Sequence, residues 1–240
     1  MTSTPPESKA DTLSVPYLDR PKKTFAGFLL ILLAMSGAAL ASSMYSPTLC
    51  WLVIFGFMGY CVTYIGYAVT GLWRGAYISP LTRRVSLSQV QMIAWTVLII
   101  SALLSLCFMN LFELHSTPLS IDVPPSLWIL MGISTASTVT SPAITDRKLH
   151  ENPTRVAKHA DPRLAAWSDM FLSDIEGTGH AVDIAKMQMF LFTFILVLGY
   201  GGAIWNLLEQ GGPIEALPPV DDGINVLLGV SHSGYLANKQ

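Results

Sequence analysis

The feature that most limits the fold of this 240-residue chain is a series of six apolar segments, each near the roughly 20 residues that a helix needs to cross a bilayer. Only 12% of the residues are charged, against about 25% in soluble domains. The segments cover residues 25–42, 50–73, 90–112, 125–144, 187–208 and 222–238. We therefore predict an all-α integral membrane protein with six transmembrane helices, the last of which is short and more polar.

The basic residues are distributed on one side of this predicted topology. All 14 Lys and Arg residues lie in the N-terminal tail, in the two connections 74–89 and 145–186, or after the last span. The opposite loops carry only acidic residues. By the positive-inside rule both termini are predicted to be cytoplasmic. The net charge of −2 and the absence of a concentrated basic face argue against nucleic-acid binding.

Two parts precede the central spans. Residues 1–24 are polar and contain four prolines, and they lack the apolar core of a cleavable signal peptide, so a disordered cytoplasmic tail is predicted. Residues 25–73 are predicted to form an N-terminal transmembrane hairpin that turns at Ser46 and Pro47.

An internal repeat is predicted for the remaining spans. Gln91 is followed 41 residues later by Gly132, and Gln188 is followed by Gly229 at the same spacing. Residues 85–144 would form repeat 1, with spans 3 and 4, and residues 182–240 repeat 2, with spans 5 and 6. Because both copies enter from one side, the repeats would be parallel.

Between the repeats, residues 145–181 form a long polar connection. Leu164, Trp167 and Phe171 follow helical spacing within it, which predicts a short amphipathic helix on the cytoplasmic side. Membrane contact and packing against the protein itself both fit this pattern.

Small and hydroxyl residues on spans 4 and 6 have two interpretations. Small residues four apart let helix backbones approach closely, so the first is helix packing. The second is a shared polar crevice that lines a solute path. The residues concerned are Gly132, Ser134, Ala136, Gly229, Ser231, His232 and Ser233, with Thr135, Ser137 and Thr138 beside them.

The glutamines at the starts of spans 3 and 5 are predicted to have structural roles. Gln91 and Gln188 would each bridge to a neighbouring helix. A cluster before the second repeat contains oxygen and nitrogen ligand types but neither a calcium-loop nor an HExxH pattern, so a solvated turn is preferred to a metal site. This cluster consists of Asp174, Glu176, His180 and Asp183.

No catalytic or cofactor-binding motif is present in the sequence. No Lys, Arg, Asp or Glu falls in the middle of a predicted span, which argues against ion-coupled transport. His232 is the one ionisable candidate there. An enzyme and a cofactor are therefore not expected.

The segments VSLSQVQMIAWT with LWILMGIST, and VDIAKMQMFLFT with INVLLGVSHSGYLANK, resemble an uncharacterised group of bacterial multi-pass membrane proteins. The group has a Gln-Met helix entry and a Gly-Ile/Val-Ser return helix, and the resemblance covers about residues 80–240. It implies a bacterial inner-membrane protein. We expect a non-catalytic scaffold or complex subunit, as a homo-oligomer or with other subunits, in contact with the lipid bilayer. The alternative is a passive pore or small-solute carrier with a path between spans 4 and 6.

Overall fold

The computed structural model describes residues 21–112, 119–152, 154–177, 181–210 and 214–239, with side chains from residue 25 onward. Residues 1–20 of the predicted tail lie outside this description. Within the described ranges the chain forms six α-helices and no β-strand. The helices are α1 (Pro21–Ser43), α2 (Pro47–Thr70), α3 (Leu87–Phe112), α4 (Pro125–Glu151), α5 (Ile184–Gln210) and α6 (Asp222–Lys239).

Five of these described helices, α1 to α5, are long and apolar enough to cross a membrane. The predicted all-helical membrane class is therefore confirmed at this level. Helix α6 has 18 residues, or about 27 Å at the usual rise, and it is not apolar enough to join that set. Its polar side chains Asn225, Ser231 and His232 are buried within the protein.

Helix α4 extends further than predicted. The sequence suggested an end at Ile144, where the apolar run stops, but the helix continues to Glu151. Its last turns are supported by a pair between Arg147 and Glu151, whose Nε and Oε1 atoms are 3.2 Å apart. Hydropathy marks the apolar part of a helix, whereas charged pairs four residues apart continue it into water.

Helices α1 to α3 each contact the next helix in the chain, and so does α5, while α4 contacts α6 and α3 also contacts α5. The main apolar core lies among α3 to α6 and includes Trp95, Leu130, Ile204 and Leu228. Trp51 of α2 reaches this core and donates from Nε1 to the Ser101 hydroxyl of α3, at 3.2 Å. This bond fixes the N-terminal hairpin against the central bundle.

The connection 154–177 differs from the expected amphipathic helix. Two short 3-10 turns, Pro162–Leu164 and Trp167–Phe171, stand in its place. The Asp169 carboxylate accepts from the backbone N–H of Ala166 at 2.9 Å, which closes the second turn on itself instead of extending it. The segment packs on the protein through Met170.

The end of α2 requires glycine at one position. A Cβ atom on Gly66 would lie 2.6 Å from the backbone nitrogen of Ala76, where the chain folds back on the helix. Since backbone atoms cannot swing aside as a side chain can, this contact excludes any larger residue.

We expect Gly66→Ala to lower the free energy of unfolding by about 1–3 kcal/mol, because the added methyl overpacks this site. Thermal unfolding in mild detergent measures the change. Gly59→Ala in the same helix is the control, since no atom lies within 4 Å of the Cβ it would gain. Equal stability of the two variants would contradict the close approach at Gly66.

Candidate functional site in the seam between α4 and α6

A stripe of serines on α4 faces α6. Ser134, Ser137 and Ser141 recur at spacings of three and four residues, which places them on one helical face. All three are buried, with at most 2% of their surface exposed. The hydroxyl face of α4 is therefore turned into the protein.

Helix α6 presents a matching polar face. Ser137 Oγ lies 2.6 Å from His232 Nδ1, and Ser141 Oγ lies 2.8 Å from the Tyr235 hydroxyl. His232 is 3% exposed. We call this contact between the two helices the polar seam, and it is defined by Ser134, Ser137 and Ser141 of α4 and by Ser231, His232 and Tyr235 of α6.

The polar seam contains buried atoms that lack a hydrogen-bond partner among the described residues. They are the hydroxyl oxygens of Ser134 and Ser231 and the Nε2 atom of His232. A buried polar group without a partner costs about 1–3 kcal/mol. Such groups at one contact between two helices point to an internal solvent or ligand position.

The structure separates the residues that the sequence grouped together. Ser134, Ser231 and His232 meet in the polar seam, whereas Thr135 and Ser233 face outward. Thr138 donates to the backbone carbonyl oxygens of its own Ser134 and of Ser88 in α3, at 2.9 and 3.1 Å. Only some of the residues that were grouped in the predicted crevice therefore lie together between α4 and α6.

Among the residues that the structure describes, the close backbone approach expected at Gly132 and Gly229 is absent. Gly132 and Ala136 are exposed, and no atom lies within 4 Å of a Cβ built on Gly132. At Gly229 the nearest atom to such a Cβ is Ile133 Cδ1, at an ordinary 3.7 Å. Side chains from the serine stripe and Ile133 fill the contact, so the small residues of α4 point away from it.

The two glutamines have different environments. Gln91 is buried, and its Nε2 donates to the backbone oxygen of Met189 and to Thr193 Oγ1, at 3.1 and 2.6 Å. Gln91 therefore bridges α3 to α5. Gln188 is exposed, so the equivalent glutamine does not occupy an equivalent site.

A second set of charges closes the end of the bundle where α4 and α6 finish and α5 begins, which we call the basic end. The Asp174 carboxylate lies 2.7 Å from Lys186 Nζ and 3.1 Å from Lys239 Nζ. Lys239 also donates to Ser141 Oγ at 2.8 Å. One loop carboxylate therefore connects α5 and α6, and through Ser141 it reaches α4.

The pKa values of this cluster reflect its pairing. Burial alone would raise the pKa of Asp174, but the ammonium groups of Lys239 and Lys186 outweigh it and lower that pKa. Burial would lower the pKa of Lys239, whereas Tyr235 and Asp174 raise it overall. Both groups are held in their charged forms near neutral pH.

Asp169 organises the other half of the basic end. Its carboxylate lies 3.1 Å from His159 Nε2 and 3.8 Å from Arg84 Nε, and it also accepts from the backbone N–H of Val85. Between this group and the Asp174 cluster lies a polar cavity with about 20 Å³ of interior space, enough for about one water molecule. Ser141, Tyr235 and Lys239 line the cavity.

The weak metal candidates have other roles. Asp174 is paired with two lysines, and Glu176 is exposed. Asp183 caps α5 by accepting from the backbone N–H groups of Ala185 and Lys186, while His180 lies outside the described residues. In the part of the chain that the structure describes, no group of three or more His, Cys, Asp or Glu side chains could hold a metal ion.

Sequence reasoning missed several members of this region. Ser141 and Tyr235 continue the helical spacing from Ser137 and His232, so extending the stripe by one turn would have found them. The pairing of Asp169 with Arg84 joins residues 85 positions apart and leaves no local pattern.

No family model, curated protein or solved structure matches this chain.

The cluster at Asp174 predicts a defined dependence of stability on pH. A lowered carboxyl pKa stabilises the fold above its ordinary value, and this contribution is lost as the pH falls through the folded pKa. A raised lysine pKa stabilises the fold below its ordinary value, and this contribution is lost as the pH rises through the folded pKa. Thermal stability should therefore be greatest between these limits.

Asp174→Asn should destabilise the protein by roughly 3 kcal/mol at neutral pH, because two buried ammonium groups lose their carboxylate. The variant should also lose part of the fall in stability at acid pH. Thermal unfolding from acid to alkaline pH measures both effects. Glu151→Gln breaks an exposed pair and serves as the control. A similar loss in both variants would contradict a special role for Asp174.

Proposed function

We propose that the chain is a non-catalytic scaffold or subunit of a complex in the bacterial inner membrane, and that it associates through an outward face of α4. The observation that carries this proposal is the position of Gly132 and Ala136. Both lie on the outside of the bundle, with open space next to Gly132. A helix of another subunit can approach such a surface closely.

The same face of α4 has further small and polar residues. Thr135, Thr140 and Ala143 are exposed beside Gly132 and Ala136. Threonine hydroxyls on a transmembrane helix can donate across to a neighbouring helix. Contact with a second copy of this chain or with another membrane subunit would use both the small surface and these donors. Contact with lipid alone would use neither the small surface nor the threonine hydroxyls.

The proposal includes six spans with both termini in the cytoplasm. Helix α6 would cross the membrane because α4 and α5 shield its polar residues from lipid. Lys186 and Lys239 at the basic end, with Arg84 nearby, agree with a cytoplasmic position for that end. The resemblance of residues 80–240 to bacterial membrane proteins supports the inner membrane as the location.

The parallel repeat belongs to the same proposal. Val85 and Val182, the first residues of the two predicted copies, each form an antiparallel bridge shortly before a long helix. At the other end, the segments leading to α4 and α6 pair in parallel through Asp122 and Ala216. These two similarities support a duplicated two-helix unit, and the different burial of Gln91 and Gln188 marks its divergence.

A passive pore or small-solute carrier is the second candidate. The unpartnered hydroxyls of Ser134 and Ser231 favour it, since a passing solute could bind them. Both residues are at most 6% exposed, so a solute would require α4 and α6 to separate. The outward face of α4 needs no such movement, and the scaffold is therefore preferred.

Gly132→Leu tests the scaffold. We expect the variant to fold with unchanged thermal stability, because the leucine enters open space, but to lose assembly in native-size measurements in mild detergent or in crosslinking in membranes. Gly56→Leu on α2 is the matched control, since Gly56 is also exposed with no atom within 4 Å of its Cβ. Unchanged assembly of Gly132→Leu would contradict the proposed interface.

The topology has a separate test. A reporter enzyme fused after Gln240, or inserted after Asn152, should report the cytoplasm, because the basic residues hold that end inside. A reporter inserted after the exposed Leu119 should report the outside. Opposite sides for Asn152 and Gln240 would show that α6 does not cross.

A further inference from the structure

We propose that His232 is a proton-binding site inside the membrane part of the chain, reached from the basic end along the polar seam. The inference does not depend on the scaffold proposal, since it concerns the interior of a single chain. Its basis is a series of polar side chains between α4 and α6, which we call the ladder. It begins at the charged cluster of the basic end and ends at the His232 imidazole, and each pair of facing side chains in it is called a rung.

The first rung lies beside the cavity at the basic end. Lys239 Nζ is 2.8 Å from Ser141 Oγ, which in turn is 2.8 Å from the Tyr235 hydroxyl. All three residues line the cavity, whose interior of about 20 Å³ holds about one water molecule. About one water molecule therefore fits beside this rung without the helices separating.

The second rung is one helical turn further in. Ser137 Oγ lies 2.6 Å from His232 Nδ1. Four residues of helix advance about 6 Å, the length that one bridging water molecule spans with a hydrogen bond on each side. A single water between Ser141 and Ser137 would thus connect the rungs.

The backbone between the rungs offers this water a further partner. Pro142 lies inside α4 and lines the cavity. Proline has no N–H, so the carbonyl oxygen of Thr138 cannot receive its usual helical donor. A carbonyl oxygen that has lost its i+4 donor is the kind of acceptor that an internal water can use.

The ladder ends among atoms that can respond to a proton. Nε2 of His232 and the hydroxyl oxygens of Ser134 and Ser231 are buried and have no hydrogen-bond partner among the described residues. A hydroxyl oxygen can accept a hydrogen bond, and an imidazolium donates from both nitrogens. Neither hydroxyl is hydrogen-bonded to Nε2, so a bridging water would be needed for a serine of the seam to accept from the charged histidine.

The proton step is balanced by simple relay. In the tautomer with hydrogen on Nε2, Ser137 donates to Nδ1. A hydronium ion in the cavity gives one proton to the Ser141 hydroxyl, which passes its own hydrogen to the bridging water; that water passes one to the Ser137 oxygen, and the Ser137 hydroxyl hydrogen moves on to Nδ1. The hydronium becomes water, the imidazole becomes imidazolium, and each relay group ends with as many hydrogens as it began with.

Other ionisable groups on the packed elements lie away from this layer. On α6 they are Tyr235 and Lys239 toward the basic end and Asp222 at the opposite end; α5 has Lys186, Tyr200 and Glu209, and α3 has only Cys107. The ionisable side chains of α4 all follow Thr145. Asp174 and Asp169 in the loop are already paired with lysine, arginine and histidine side chains. No described carboxylate at the level of His232 would neutralise a bound proton.

Nitrogen NMR of the full chain in lipid nanodiscs tests the proposal. With ¹⁵N-labelled histidine the protein gives signals from its five histidines, and His232→Gln identifies the one that disappears. We expect the His232 signals to shift reversibly from the neutral to the imidazolium position as the pH is lowered while the protein stays folded. A His232 that stays neutral throughout would overturn the proposal.

The path is tested by the exchange rate of the imidazole hydrogen with water. Ser137→Ala and Tyr235→Phe should each slow this exchange about tenfold, the factor that corresponds to one hydrogen bond of about 1.4 kcal/mol. Ser233→Ala and Tyr60→Phe remove exposed hydroxyls outside the seam and should leave the rate unchanged. Wild-type exchange in either ladder variant, provided that the variant is folded, would overturn the path.

Discussion

The carboxylate of Asp174 is the interaction on which the basic end of the bundle depends. It lies in a connection without regular secondary structure, yet it binds lysines at the start of α5 and at the end of α6. Neither lysine is well exposed to water, so each requires a counter-charge to remain buried. Lys239 then holds Ser141 of α4. The ends of three helices are thus positioned by one residue, and the polar seam is aligned from this point inward.

The seam explains how the polar residues of α6 are accommodated inside the helical bundle. Hydropathy averages over all faces of a helix, whereas only the outward face meets lipid. In α6 the outward positions include Val226, Leu227 and Val230, and the polar Asn225, Ser231 and His232 are buried. Polar groups in a bilayer require partners inside the protein, and Ser126, Ser137 and Ser141 of α4 are hydrogen-bonded to Asn225, His232 and Tyr235 of α6.

Much of this fold follows from local patterns in the sequence, but the site follows only in part. The lengths of the apolar segments predicted the five helices that could cross a membrane, because a helix must have a certain length to cross a bilayer. The serine and histidine positions were found because helical spacing brings them onto one face. The sequence could not decide which face of α4 turned inward: Gly132 and Ser134 are two residues apart and point to different sides. The bond from Gln91 to Thr193 and the pairing of Asp169 with Arg84 depend on how whole elements pack, which no local pattern encodes.

The two faces of α4 have different roles, although their residues alternate in one stretch of sequence. One face forms hydrogen bonds inside the protein, and the other presents small residues at the surface. Its inward face has hydroxyls that must find partners in a low-dielectric interior, and this requirement fixes the rotation of the helix against α6. Once that rotation is set, the small residues Gly132 and Ala136 are carried to the outside. Small residues at this surface give no better packing against lipid chains than larger side chains would give. They do allow another helix to approach closely. The internal hydrogen bonds of the polar seam therefore determine which surface of α4 faces outward.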